Sequence, residues 1–166
     1  STLMRSSAAS DVYKRQVVEH FKNLVRKYEL PPEYVELEIT ESATIDNNEI
    51  FNLLEQFHTA GFKILLDDFG SGYSYLAALN RMHFDTIKLD KSLIDYIGDR
   101  NGEKLLLHIT QLLQSFGMTI TAEGVETSDQ VEFLKNLHCD DIQGYYFSKP
   151  LPVNEFEDFV RKHTGL

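Results

Sequence analysis

The strongest constraint on the fold of this chain is an internal repeat. Gly61 opens an apolar run that reaches Asp67, and Gly117 opens a second run that reaches Glu123 at the same offset. A further pair interleaves with the first. Met82-His83-Phe84-Asp85-Thr86-Ile87-Lys88 parallels Leu137-His138-Cys139-Asp140-Asp141-Ile142-Gln143. The glycines lie 56 positions apart and the histidines 55. Within each unit, a short apolar run alternates with a stretch of helical period. Ile64-Leu65-Leu66 is apolar without alternation, as a strand buried on both faces is. Leu105, Leu106, Ile109, Leu112, Leu113 and Phe116 mark the buried face of a helix predicted from Gly102 to Phe116. Two consecutive βα units, repeated once, fit a barrel of the (β/α)8 kind better than an open sheet whose strand order reverses.

The rest of the chain continues the alternation. A helix is predicted over Val17–Tyr28, with Val17, Val18, Phe21, Leu24 and Val25 on one face, and Pro31-Pro32 stops it. Val35–Ile39 reads as a strand. Asp46, with Glu49 three residues on, forms a capping box for a helix whose stripe is Ile50, Phe51, Leu53, Leu54 and Phe57. Gly61 ends that helix, and a strand over Phe62–Asp67 follows. A short helix at about Tyr75–Leu79 leads to a strand at Thr86–Leu89, then a loop and a turn near Ile94. Met118–Ala122 is the next strand. Thr127 and Gln130 form a second capping box for a helix to Leu137. Asp141–Gln143 is a last strand, and a helix over Glu155–Lys162 closes the chain. A full barrel of this kind takes about 250 residues. The expected fold is therefore α/β, an incomplete (β/α)8 TIM-type barrel with about five parallel strands present and the N-terminal strands missing. Ser1–Gln16 is rich in small polar residues and has no period. It is expected to be a non-native or disordered leader, leaving residues 17–166 as the domain.

Charge narrows the partners. Lys and Arg total 16 against 26 Asp and Glu, a formal charge of −10. That speaks against a general nucleic-acid polymer or an anionic membrane surface. A small phosphorylated ligand is compatible if metal ions neutralise the site. The single cysteine, Cys139, rules out an internal disulfide and is expected to be a small buried residue. No apolar run approaches the roughly 18 residues of a spanning helix. A cytoplasmic domain is expected, whose parent protein is free to be membrane-anchored through other segments.

The chemistry gathers at strand ends. Glu38, Asp67 with Asp68, Lys88 with Asp90, Glu123 and Gln143 each sit at or just past a strand C-terminus, and in a barrel those ends share one mouth. An isolated Asp-Asp pair more often opens a solvated loop than a site. Several carboxylates at one mouth repel each other and are tolerable with divalent cations between them. All-oxygen ligands suit Mg²⁺ or Mn²⁺. Adjacent Asp67 and Asp68 suit a two-metal arrangement, the one used to hydrolyse phosphodiesters. Lys88 either orients or deprotonates a water, or makes a structural ion pair with Asp90 or Glu123. His20, His58, His83, His108, His138 and His163 show no paired metal spacing. His83 and His138 precede strands, at the face opposite the site, where a structural role is expected. Tyr145-Tyr146-Phe147 fits a guanine-stacking surface and ordinary packing equally well.

At this point the chain resembles the EAL-domain cyclic di-GMP phosphodiesterases. The matching motifs are Glu38-Ile39-Thr40-Glu41-Ser42, Asp67-Asp68-Phe69-Gly70-Ser71-Gly72-Tyr73-Ser74, Ile87-Lys88-Leu89-Asp90, Ala122-Glu123-Gly124-Val125-Glu126-Thr127, and Gln143-Gly144-Tyr145 through Pro150. They occur in order across about residues 17–166. The resemblance implies hydrolysis of one phosphodiester of cyclic di-GMP to linear pGpG, with two Mg²⁺ or Mn²⁺ ions. It implies that Glu38 and Asp67 are metal ligands, Asp67 bridging, and that Asp68 and Glu123 serve the second metal site or its water. Lys88 is the implied catalytic lysine near the attacking water, Gln143 a supporting polar residue, and Phe69, Gly70, Ser71, Gly72, Tyr73 and Ser74 the loop that orders metal and substrate. Asp90 belongs to the same substrate-side set, and Glu41 is the implied brace of the loop. A homodimer of the complete domain is a further expectation. The family's signature Glu-Ala-Leu is absent from this sequence. So is the asparagine ligand expected roughly thirty residues before Glu38, a place that falls within Ser1–Gln16. Tyr75 stands where a serine is common. These departures imply a truncated copy, inactive in isolation. The alternative is a non-catalytic cyclic di-GMP-binding or protein-interaction domain.

Overall fold

The computed structural model describes residues 2–44, 48–72 and 79–164. The element order is α1 (Thr2–Lys27), β1 (Glu36–Thr40), α2 (Asn48–Thr59), β2 (Lys63–Phe69), β3 (Thr86–Leu89), α3 (Lys91–Ile94), α4 (Arg100–Ser115), β4 (Thr119–Ala122), α5 (Ser128–Asn136), β5 (Asp141–Ile142) and α6 (Val153–Thr164). The helix expected over Val17–Tyr28 is the C-terminal part of α1, which starts well before Val17. The turn expected at Ile94 is the one-turn helix α3, capped by the Asp90 side chain. The Asp46 capping box and most of the Tyr75–Leu79 helix lie outside the described residues.

All strand pairs are parallel, and the sheet order is β1-β2-β3-β4-β5 without reversal. That is the singly wound order a barrel needs. The sheet also curves strongly. Thr86 on β3 donates a hydrogen bond to Glu36 on β1 at 2.8 Å, across the intervening β2. Side chains from alternate strands share a layer inside such barrels.

Strand alternation then sorts the two faces. Ile39, Ile64, Leu66, Ile87, Leu89, Ile120 and Ala122 are buried and join one core with the helices. Each fully buried Leu, Ile or Phe contributes about 1.5–3 kcal/mol. Leu65, on the opposite face of β2, is also buried, so the centre of this strand is covered on both sides as expected. Phe21, Phe57 and Phe62 pack edge to face where α1 and α2 meet the start of β2, with centroids 5.4–6.3 Å apart.

The buried face of α4 differs from the expected one. Leu106, Ile109 and Leu113 are buried, with Gly102 and Thr110. Leu105, Leu112 and Phe116 are exposed at 45%, 37% and 50%. Gly102 belongs to the packed arc, and a Cβ there would stand 2.5 Å from the Tyr96 Cβ. The close approach at Gly102 is consistent with an arc along the Gly102–Leu106–Leu113 line, which leaves the Leu105–Leu112–Phe116 line outward.

The repeat has a plain structural meaning at the N-terminal ends of the strands. The Asp85 carboxylate accepts from the Ile64 amide at 2.8 Å, and Asp85 N–H donates back to the Ile64 carbonyl at 2.9 Å. Asp140 does the same with Ile120, at 2.8 and 3.0 Å. Each His-x-Asp motif thus staples the strand before it. His83 is exposed and lies edge-on to His58, whose Nε2 stands 3.6 Å from Asp85. Cys139 is half-buried, its thiol donating to the Ile120 and Asp141 carbonyls. Burial pushes that thiol up to about 12.

Candidate active site

At the C-terminal ends of the strands, Lys88 is the hub. Its Nζ lies 2.5 Å from Glu123, 3.1 Å from Asp67 and 3.5 Å from Glu38. Of the two partners expected for a structural ion pair, Glu123 is one and Asp90 is not. The Gln143 side-chain amide donates to Glu123. Residues from five strand ends are therefore tied into one polar network. The Lys88 side chain is 13% exposed, Asp67 and Glu123 20% each, and Glu38 56%.

Local backbone explains the placement of the paired aspartates. The β2–β3 register shifts between Leu66 and Phe69, a bulge that holds Asp67 and Asp68. Asp68 has φ +57, a left-handed conformation that aspartate tolerates better than most residues. Its N–H donates to Asp67 Oδ1 at 3.0 Å. A bulge re-aims a side chain at a strand end, and here Asp67 reaches Lys88. Phe69 is buried and anchors the start of the loop, and the Ser71 amide closes it on the Asp68 carbonyl at 3.0 Å. Tyr73, Ser74 and the Glu41 side chain lie outside the described residues. Asp90 caps α3 through the Ser92 amide at 3.0 Å. Burial raises its pKa, but the hydrogen bonds from Ser92 and Lys91 outweigh that and hold it below the usual carboxylate range.

Lys88 is a strongly held cation. Burial alone pushes its pKa down, yet the hydrogen bonds and charges of Glu123 and Asp67 prevail and hold it above the ordinary lysine value. The surrounding donors are all oxygen, which in kind suits a hard divalent cation. Among the described residues, however, no three His, Cys, Asp or Glu side chains are grouped to hold a metal ion. The carboxylates meet on the ammonium instead.

A cavity of about 670 Å³ opens beside Glu123 and Gln143. Lys91 and Lys149 supply cations to it, and Tyr145, Phe156 and Phe159 supply rings. Tyr145, Tyr146 and Phe147 are exposed at 59%, 45% and 49%, so they do not form core packing. The Lys149 ammonium sits 5.6 Å over the Tyr145 ring. Sequence reasoning missed Lys91, which lines this cavity and pairs with Glu126 at 3.4 Å.

No described helix is long and apolar enough to cross a membrane. The EAL domain family model matches residues 4–150. The cyclic di-GMP phosphodiesterase NbdA of Pseudomonas aeruginosa is 36% identical over 93% of this chain and 20% of its own length. The chain spans about a fifth of the length of the first curated relatives it matches. Among solved structures, the EAL domain of Mycobacterium smegmatis DcpA superposes with a TM-score of 0.78 at 32% identity, over 87% of this chain and 66% of that one. Klebsiella pneumoniae BlrP1, solved with manganese and cyclic di-GMP, gives 0.76 at 31% identity, over 81% and 35%. EAL domains form TIM-type barrels, in keeping with the unreversed five-stranded sheet. The chain belongs to the EAL domain family.

Proposed function

We propose that this chain carries the centre of a metal-dependent phosphodiesterase that opens one phosphodiester of cyclic di-GMP to give linear pGpG. The observation that carries the reading is the convergence of Glu38, Asp67 and Glu123 on Lys88. The neighbouring cavity is of the size that small-molecule sites have, and its rings and cations suit a guanine nucleotide. The similarity to NbdA and to the BlrP1 complex supports both the substrate and the use of divalent ions.

Glu38, Asp67 and Asp68 would hold two Mg²⁺ or Mn²⁺ ions, with Glu123 serving the second of them or its water. When bound, such ions neutralise phosphate charge and acidify a bound water. The remaining work falls to the chain's own residues. Lys88, 2.5 Å from Glu123 and 3.1 Å from Asp67, is placed to act on the attacking water and to offset negative charge on the phosphoryl oxygens. Gln143 fixes the Glu123 carboxylate. Asp90 shapes the substrate side by capping α3. Phe69, Gly70, Ser71 and Gly72 would order metal and substrate, and Tyr73, Ser74 and the brace Glu41 are assigned to the same task by the family resemblance alone.

The same reading holds that the 166-residue chain alone turns over poorly, because the Glu-Ala-Leu glutamate and the upstream asparagine are not among its ligands. Assay with Mg²⁺ and with Mn²⁺ tests this, and robust hydrolysis by the chain as it stands refutes the inactivity. In an eight-stranded version carrying a Glu-Ala-Leu strand, Asp67→Ala and Lys88→Ala should each abolish turnover. Indifference to both substitutions sinks the site. One observation favours the binding-only alternative: the carboxylates already satisfy an ammonium. That alternative predicts metal-independent binding of cyclic di-GMP and no hydrolysis by the eight-stranded version.

A further inference from the structure

The short helix α3 touches both acidic loops of the mouth. On one side, a Cβ added to Gly70 would stand 2.4 Å from Leu93 Cδ1 and 2.6 Å from its Cγ. On the other, a Cβ added to Gly124 would stand 2.7 Å from both Cβ and Cγ of Lys91. Gly70 follows Asp67-Asp68, and Gly124 follows Glu123. Backbone bonds reinforce both seats. Asp90 N–H donates to the Phe69 carbonyl at 3.1 Å, and Glu123 N–H donates to the Leu89 carbonyl at 3.1 Å. Leu93 is 4% exposed and Ile94 fully buried, so the helix cannot shift without moving core. Lys91 extends past Gly124 to pair with Asp95 at 2.8 Å and Glu126 at 3.4 Å. Packed interiors transmit small displacements because they leave few voids.

We propose that α3 is a positioning wedge: Leu93, seated on Gly70, and Lys91, seated on Gly124, set the spacing between the Asp67–Asp68 end of β2 and the Glu123 end of β4. Both act here as positioning residues, through their contacts with Gly70 and Gly124. The wedge matters to chemistry only under the reading that these carboxylates act together. Its mechanical content is independent of that reading. A displacement on the Gly124 side should pass through α3 to the Gly70 side, and the reverse.

Amide hydrogen exchange on the 166-residue chain tests this without any turnover. Two reporters are available: the Ser71 amide, bonded to the Asp68 carbonyl, and the Glu123 amide, bonded to the Leu89 carbonyl. Gly124→Ala should accelerate Ser71 exchange by about tenfold, as a local opening would, although Ser71 is on the other loop. Lys91→Ala, at a half-exposed side chain that does not threaten folding, should do the same more weakly. Leu93→Ala should accelerate both reporters, and Leu93→Met, of similar volume, should restore them. The Ile109 and Leu113 amides in α4 should hold their rates throughout, which separates a wedge from general destabilisation. Acceleration confined to the loop next to each substitution overturns the proposal. So does uniform acceleration that includes α4, or failure of Leu93→Met to rescue. Cyclic di-GMP hydrolysis enters none of these readouts, so the wedge and the phosphodiesterase reading fail separately.

Discussion

The two ends of the sheet are built from the same repeat and put it to opposite uses. At the N-terminal end, Asp85 and Asp140 make matching bonds to Ile64 and Ile120, within 0.1 Å of each other. At the C-terminal end, the repeat positions have diverged. Asp67 is matched by Glu123 and Lys88 by Gln143, and these four side chains bond to one another instead of doing the same thing twice. The glycines follow the same division. Gly61 and Gly117 turn the chain into its strands with φ +92 and +74, with nothing closer to a Cβ than 3.4 Å. Gly144, near the mouth, is pressed against backbone. What repeats is scaffold, and what has stopped repeating is the polar network at the mouth.

The largest expected effect breaks the mouth. At Gly144 a Cβ would stand 2.1 Å from the Val125 carbonyl oxygen and 2.3 Å from its nitrogen. Both atoms are committed, because Val125 N–H donates to the Gln143 carbonyl and the Val125 carbonyl accepts from Tyr146. Backbone cannot step aside as a side-chain tip can. Gly144→Ala should destabilise by about 3 kcal/mol or more, the upper end of forced overpacking and beyond, or prevent folding. Urea denaturation measures it, and a loss under 1 kcal/mol would mean that the loops after β4 and β5 are not held by this contact.

Next come the staples at the other end. Asp140→Ala leaves the Ile120 amide without its acceptor and should cost about 1–3 kcal/mol. Asp85→Ala should cost as much through Ile64. Because an asparagine oxygen still accepts, Asp140→Asn and Asp85→Asn should recover most of each loss. If the two alanine variants differ severalfold, the staples are not equivalent and the scaffold half of the comparison fails.

The legibility of the sequence follows the same line. Strand existence and order could be read because βα alternation and the Gly and His-x-Asp offsets are local signals. The Thr127–Gln130 capping box formed as expected, Gln130 accepting from the Glu126 and Thr127 amides. The strand-end residues Glu38, Asp67, Lys88, Glu123 and Gln143 could be gathered into one mouth because parallel topology does that to strand ends. What stayed hidden depends on distance across the fold. No period announces that Gly102 meets Tyr96, nor that the turn at Ile94 is a helix lodged between two loops. The bulge at Asp67-Asp68 was also hidden, since Ile64-Leu65-Leu66 carries no mark of the register shift beyond it.

A smaller effect sharpens the mouth through pH. The folded pKa of Lys88 lies above the ordinary value of about 10.4. Its contribution is therefore fully present below the unfolded pKa and is lost as pH rises through the folded one. Lys88→Met should lower stability by about 1–2 kcal/mol at neutral pH, as loss of hydrogen bonds to charged groups does. The gap between the parent chain and Lys88→Met should stay level from about pH 6 to 9 and shrink above about 10.5. Urea midpoints across that range give the answer. A gap that widens in alkali would mean that Lys88 is not the charged hub of the network.

The smallest effect separates conformation from contact among the glycines. Gly117 has φ +74 and open space where a Cβ would go, so any cost of substitution comes from the left-handed backbone alone. Gly117→Ala should cost about 1–2 kcal/mol, the left-handed penalty for a residue with a Cβ. Asparagine tolerates that conformation, so Gly117→Asn should lose only about half as much. At Gly144 the same pair should behave differently, because a clash with backbone does not ease when alanine becomes asparagine. Urea midpoints of the four variants decide between the two causes. If Gly117→Asn is as damaging as Gly117→Ala, the turn into β4 is held by something other than its φ, and the glycines at the two ends of the sheet are not the two kinds described.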